Sequence, residues 1–257
     1  MKISIILSLL LIISGSLIGQ RREVPVDTTI ITEHTATING SKINYVAITG
    51  MQPLWDDAGE PIATLHYTYY KKKDVSNHAK RPLMISFNGG PGSASAWMHI
   101  AYTGPKLLKI DEEGYPVQPY GIVENPYSVL DETDILYVNP VNTGFSRTIP
   151  PSGKEVNRDK FFGINADINY LAEWLNTFVN RHNRWLSPKY LIGESYGGTR
   201  VAGLALELQE RQWMYLNGVV MVSPADYTVF ESDVAISSSL NLPYFTAAAW
   251  YHKMLPE

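Results

Sequence analysis

The sequence predicts an α/β fold built on a mainly parallel sheet with an antiparallel hairpin at its N-terminal end. Three observations carry this. Asn39-Gly40 separates two alternating runs, and both residues accept the positive φ of a tight hairpin turn. From residue 82 onward, short apolar runs alternate with helix-period segments, the pattern of strand–helix–strand units. Within that alternation, Gly193-Glu194-Ser195-Tyr196-Gly197 follows the apolar run Tyr190-Leu191-Ile192 and precedes a helical pattern over 199–209. A G-x-S-x-G at a strand-to-helix turn is the context a nucleophile elbow needs.

The elements follow in order. Residues 21–28 are polar, contain proline and are expected to be extended. Residues 30–38 and 42–49 form the two arms of the hairpin, and residues 61–71 alternate again, with Ile62, Leu65 and Tyr67 on or near one face. Lys71-Lys72-Lys73-Asp74 is a charged break. Residues 82–87 read as a short buried strand that runs into Asn88-Gly89-Gly90-Pro91-Gly92. Residues 134–138 are a second buried strand, closed by Asn139-Pro140. Ile164, Ile168, Leu171, Leu175 and Phe178 recur at helical spacing, which predicts an amphipathic helix ending near Arg181. The strand before Ser195, the helix after it and a buried strand over 216–222 complete the series.

Composition narrows the function. Of 257 residues, 45% are hydrophobic and 18% charged, ordinary for one sizeable α/β domain. A formal charge of −4 without any basic run argues against a nucleic-acid surface. There is no cysteine, which excludes disulfides, thiolate catalysis and cysteine metal sites. The six histidines show no H-x-x-x-H or H-x-H pair, so no metal is expected. Residues 1–20 read as a secretory signal peptide: a positive start at Met1-Lys2, an apolar stretch over 3–13, then small Ser14-Gly15-Ser16. The apolar stretch is short for a membrane-spanning helix, which needs roughly 20 residues, so export without a stable anchor is expected. An exported chain without cysteine fits a bacterial source.

The elbow makes Ser195 the candidate nucleophile. The backbone N–H of Tyr196, at the helix start, points toward any oxyanion forming there. The glycine loop at 88–92 sits after an upstream strand, where α/β-hydrolases place the other half of an oxyanion hole. A phosphate loop would need Lys-Ser/Thr, which is missing. Trp97 and Tyr102 after this loop either line a substrate pocket or pack the local helix; His99 and His182 read as surface or packing residues.

Three segments carry a family resemblance. Phe87-Asn88-Gly89-Gly90-Pro91-Gly92-Ser93, Pro140-Val141-Asn142-Thr143-Gly144-Phe145-Ser146 and Gly193-Glu194-Ser195-Tyr196-Gly197-Gly198 resemble, in order and spacing, the N-terminal signatures of serine carboxypeptidases. The resemblance runs from about Tyr67 to the end. Pro188-Lys189-Tyr190-Leu191-Ile192, Leu242-Pro243-Tyr244 and Trp250-Tyr251-His252 look most like the family's exported bacterial branch. It implies an α/β-hydrolase fold, no cofactor, and peptide or protein C-termini as substrate. It implies Ser195 as nucleophile, the N–H groups of Gly90 and Tyr196 as oxyanion hole, and Asn88, the Gly89 backbone and Glu194 as binders of the substrate carboxylate. A glutamate binds a carboxylate only when it carries a proton to donate; this accords with the family's tendency to work at acidic pH.

The chain also departs from the pattern. Tyr102 stands where many members place a second glutamate before Gly104-Pro105. Asn139 and Asn142 stand where an acid or glutamine and a glycine are usual, and Asn142 is expected to strain its turn.

A serine hydroxyl needs an imidazole to take its proton. After Ser195 the sequence has one histidine, His252, with Asp226 the acid best placed by order. An Asp226–His252 pair is the weaker reading, since no further strands lie between them. The resemblance implies instead that acid and histidine lie downstream of a helical cap. On that reading residues 21–232 are the N-terminal part of an α/β-hydrolase domain, truncated after the strand that follows the nucleophile helix. Residues 233–257 begin the cap, and the chain by itself is an inactive fragment of a carboxypeptidase. The rivals are an esterase or acyltransferase on the same scaffold, and a non-catalytic fragment or binding protein.

Overall fold

The computed structural model describes residues 25–150, 155–225 and 234–255. The proposed signal peptide at 1–20 lies outside them, as does Asp226.

One mixed sheet organises the chain. The strands are β1 (Thr28–Ile38), β2 (Ser41–Trp55), β3 (Pro61–Lys72), β4 (Leu83–Phe87), β5 (Lys106–Leu108), β6 (Ile122–Glu124), β7 (Asp134–Val138), β8 (Arg147–Thr148), β9 (Lys189–Glu194) and β10 (Gly218–Val222). The sheet order is β1-β2-β3-β7-β4-β9-β10, with β8 added to β3; β5 and β6 form a separate hairpin. β1, β2 and β3 are an antiparallel meander, and β3 meets β7 antiparallel. The site-bearing half, β7-β4-β9-β10, is parallel throughout. Asn39 (φ 47°) and Gly40 (φ 74°) make the first hairpin turn with both residues at positive φ, as the Asn-Gly pair requires.

Among the described residues three long helices follow: α1 (Ile164–Arg181), α2 (Tyr196–Arg211) and α3 (Val234–Tyr251). A π-helical turn spans Met98–Thr103. Strand parity divides the core. Leu83, Ile85, Phe87, Leu136, Val138 and Leu191 face α1 and α2, packing on Trp174, Phe178, Val201 and Leu204. Met84, Ile135, Tyr137 and Ile192 face the other way, against Ile38, Tyr45, Met98 and Leu130. The central strands are thus buried on both faces, which is why β4 and β7 read as unbroken apolar runs.

Asp134 closes the end of the sheet opposite the elbow. It is fully buried, accepting from Arg81 Nε at 2.7 Å and Arg184 Nη1 at 2.5 Å. The Lys72 backbone N–H adds a third bond at 3.0 Å. Two guanidinium groups on one carboxylate satisfy a charge that burial would otherwise penalise heavily.

The last strand and helix are different. Val219, Val220 and Met221 of β10 are each exposed by more than a third, on successive residues and so on both faces. On α3, Leu240, Leu242, Tyr244, Phe245, Trp250 and Tyr251 are all exposed.

Candidate active site

β9 ends at Glu194 and α2 begins at Tyr196, leaving a single residue between strand and helix. That residue, Ser195, has φ 58° and ψ −124°. A serine is held there only when its surroundings over-determine it, and such strain marks functional turns. The helix starts three residues earlier than its sequence pattern suggests because the turn has no slack. Gly193 explains the small flanking residue: a Cβ there would collide with the Gly197 carbonyl. Ser195 N–H donates to Val222 O at 3.0 Å, and its carbonyl accepts from Gly198 and Ala225, so backbone bonds fix the elbow on every side.

The glycine loop leaves β4 and packs on the elbow. A Cβ on Gly89 would lie 2.5 Å from Tyr196 N and 2.7 Å from Glu194 O, so only glycine permits this approach. Gly90 has φ 108° and precedes a cis bond to Pro91. Asn88 is buried, and its Nδ2 donates to Glu194 Oε2 at 3.0 Å. Its Oδ1 accepts from the Met98 N–H at 3.0 Å, which ties the π-helical turn to the same side chain. The structure therefore brings together all six residues that the sequence singles out: Asn88, Gly89 and Gly90 on one loop, Glu194, Ser195 and Tyr196 on the other.

The second motif supports this loop. Asn139 Oδ1 accepts from the Ser95 N–H at 3.0 Å, and Ser95 Oγ donates to Val138 O at 2.5 Å. Asn142 adopts φ 59°, the left-handed conformation that a glycine would take, and its Oδ1 accepts from the Thr148 N–H at 3.1 Å. Asparagine tolerates this conformation, and the side-chain bond offsets the strain expected there.

A cavity of about 360 Å³ opens beside the elbow. Val141, Phe161, Phe162 and Ile164 give it apolar walls, Tyr196 borders it, and Asp167 and Arg200 lie at its base. Trp97 and Tyr102 do not line it; they are 50% and 54% exposed on the π-helical turn. The sequence reading missed Arg200 and Asp167. Both are buried, and Arg200 Nε donates to Asp167 Oδ2 at 2.7 Å.

The six histidines are engaged elsewhere. His34 bonds Thr32, His66 bonds Thr49 and Asn139, and His78 lies 3.8 Å from Asp134. His99 Nε2 shares a hydrogen bond of 2.6 Å with the Tyr70 hydroxyl, and the ring stacks on Tyr137. Burial, then the charge of His66, lowers His99 to about 4. His182 packs on Phe178, and burial, then Lys71, Arg181 and Arg184, lowers it to about 4. His252 stands on the turn after α3, edge-on to Tyr251. Among the described residues no group of three His, Asp or Glu is placed to hold a metal ion, and no helix is long and apolar enough to cross a membrane.

Comparison with known proteins places the chain in a family. The family model described as serine carboxypeptidase matches residues 56–255. Serine carboxypeptidase-like 8 of Arabidopsis thaliana is 28% identical over 180 residues, covering 67% of this chain and 40% of that protein. Serine carboxypeptidase-like 37 of the same plant is 30% identical over 172 residues, covering 65% and 33%. The chain thus spans about 40% or less of the length of these curated relatives. Among solved structures, the prohormone-processing carboxypeptidase Kex1(delta)p of Saccharomyces cerevisiae superposes with a TM-score of 0.59 at 19% identity. That match covers 84% of this chain and 44% of that one, and supports an α/β-hydrolase fold.

Proposed function

This chain belongs to the serine carboxypeptidase family, and on that premise we propose that it carries the nucleophile half of a carboxypeptidase site. Ser195 attacks the carbonyl carbon of the last peptide bond. The oxygen takes up negative charge facing the N–H groups of Gly90 and Tyr196, the base passes the Ser195 proton to the departing amine of the C-terminal residue as the C–N bond breaks, and water hydrolyses the acyl-enzyme. Asn88, the Gly89 backbone and Glu194 receive the terminal carboxylate. One observation carries the reading: Gly89 lies against Tyr196 N at a distance no side chain permits, so the glycine loop and a strained Ser195 share one site.

The base that takes the Ser195 proton comes, on this reading, from outside the described residues, among which no hydrogen bond joins any of the six histidines to Ser195. Export through residues 1–20, membership of the bacterial branch, and a cap beginning at 233 belong to the same proposal. An esterase or acyltransferase is the second reading. It is favoured by Tyr102 where many members place an acid, because the hole itself serves any acyl group.

The test is a comparison of substrates on the natural full-length protein. A carboxypeptidase releases the last residue from a blocked dipeptide with a free C-terminus and leaves its C-terminal amide nearly untouched. Equal rates on both, with faster turnover of simple esters, would favour the second reading.

A further inference from the structure

Arg200 lies on the second turn of α2, 1% exposed, and the reaction proposed above does not use it. Beyond its bond to Asp167, Arg200 Nη1 donates to Asn88 O at 2.7 Å and Nη2 donates to Pro91 O at 3.3 Å. Its guanidinium carbon sits 5.0 Å from the Tyr196 ring centroid and 5.7 Å from that of Phe87. Behind it, the Tyr170 hydroxyl donates to Asp167 Oδ1 at 3.1 Å and accepts from the Val141 N–H at 3.1 Å. Burial, then the charge of Asp167, pushes the Tyr170 hydroxyl well above its ordinary range, so it stays a donor.

A guanidinium this deeply buried is a costly way to join two helices; apolar side chains of similar volume would hold them as well. What it supplies is direction. Asn88 O and Pro91 O bracket Gly89 and Gly90. In a trans peptide the C=O and the next N–H point opposite ways. Holding Asn88 O toward Arg200 therefore turns the Gly89 N–H away from it. The Gly89 carbonyl accepts from Ser93 N–H at 3.1 Å, which fixes the plane carrying the Gly90 N–H. With Pro91 O also held, the loop is clamped on both sides of Gly90. The fork of donors is rigid and planar, and a lysine ammonium cannot reproduce it.

We infer that Arg200, oriented by Asp167, is a positioning residue that sets the glycine loop against Ser195. It acts through the Asn88 and Pro91 carbonyls. The inference rests on the proposed function, because positioning matters only if the loop stabilises an oxyanion.

The test uses the natural full-length protein with a fluorophosphonate, resolving the first-order labelling constant from the half-saturating concentration. Arg200→Lys should lower the first-order constant about 10- to 100-fold, the scale of a weakened oxyanion donor. Half-saturation should move less than about threefold, since the apolar walls formed by Val141, Phe161, Phe162 and Ile164 are untouched. Arg200→Ala should lose as much and recover in part with added guanidinium. Asp167→Asn, nearly isosteric, covers the case of an Arg200 variant that does not fold; it should show the same split. A wild type that is not labelled at Ser195 sinks the proposed function itself. Labelled wild type with an unchanged constant in Arg200→Lys and Asp167→Asn overturns only this inference. So does a loss confined to half-saturation, or one that guanidinium does not relieve while the melting temperature falls in step.

Discussion

Asn88 and Glu194 are joined by a hydrogen bond of 3.0 Å, the first on the glycine loop and the second next to Ser195. Asn88 is otherwise committed to Met98, so its position is fixed before any ligand arrives. A carboxylate entering there meets an amide donor and a carboxyl already oriented by it.

Breaking this pair should separate carboxylate recognition from acyl chemistry. Glu194→Gln and Asn88→Ala should each lower kcat/KM on free peptides about tenfold or more, a loss of about 1.4 kcal/mol or more. Hydrolysis of esters without a free carboxylate should change several-fold less. Parallel assays on both substrate types measure this directly, and equal losses would remove Asn88 and Glu194 from carboxylate binding.

Acid should weaken the fold through its histidines. His99 and His182 are both lowered to about 4, by burial first. Their unfolded value is the ordinary 6.5. Between those two pH values the unfolded chain holds protons that the folded chain does not, so stability falls as pH drops. It is complete above about 6.5 and is lost progressively toward about 4. His66 and His78 are lowered as well and add the same sign. Thermal melts of the natural protein at neutral pH and near pH 4.5 should show a clear fall in Tm. His182→Phe, which keeps the ring contact with Phe178, should flatten the slope. A pH-independent Tm would contradict the neutral, buried state assigned to these rings.

Much of this was legible in the sequence, for identifiable reasons. The five-residue run at Asp134–Val138 has the same bounds in the structure because both its faces are buried and polar residues flank it. Ser195 was legible because the elbow demands small residues at fixed offsets, and Asn39-Gly40 because few other pairs accept its φ values. Arg200 and Asp167 were not legible. In sequence they are charged residues on amphipathic helices, which usually face water; the glycine loop packs on Arg200, and Arg200 and Tyr170 pack on Asp167. The β5–β6 hairpin and the π-helical turn escaped notice too, being short and of mixed polarity. Tyr102, which the sequence leaves open as pocket wall or packing, stands half exposed on the π-helical turn.

Residues 21–257 expressed alone should hydrolyse no peptide. No histidine of the chain is bonded to Ser195, and without a base only the residual catalysis of hole and binding survives, roughly 10³–10⁴-fold over water in proteases. The exposed apolar residues of β10 and α3 should also favour association. Light scattering and a blocked-dipeptide assay check both points. A cooperatively melting monomer whose activity disappears in His252→Ala would overturn the expectation and revive an Asp226–His252 pair.

The central claim is that Ser195 is a nucleophile facing an oxyanion hole, and covalent labelling tests it most directly. The natural full-length protein is treated with a fluorophosphonate, digested, and the adduct located by mass spectrometry. The account predicts one adduct, on Ser195, absent from Ser195→Ala and about 10²-fold or more slower when the hole is disturbed at Gly90. An adduct on any other serine, or labelling of Ser195→Ala as strong as that of the wild type, would contradict it.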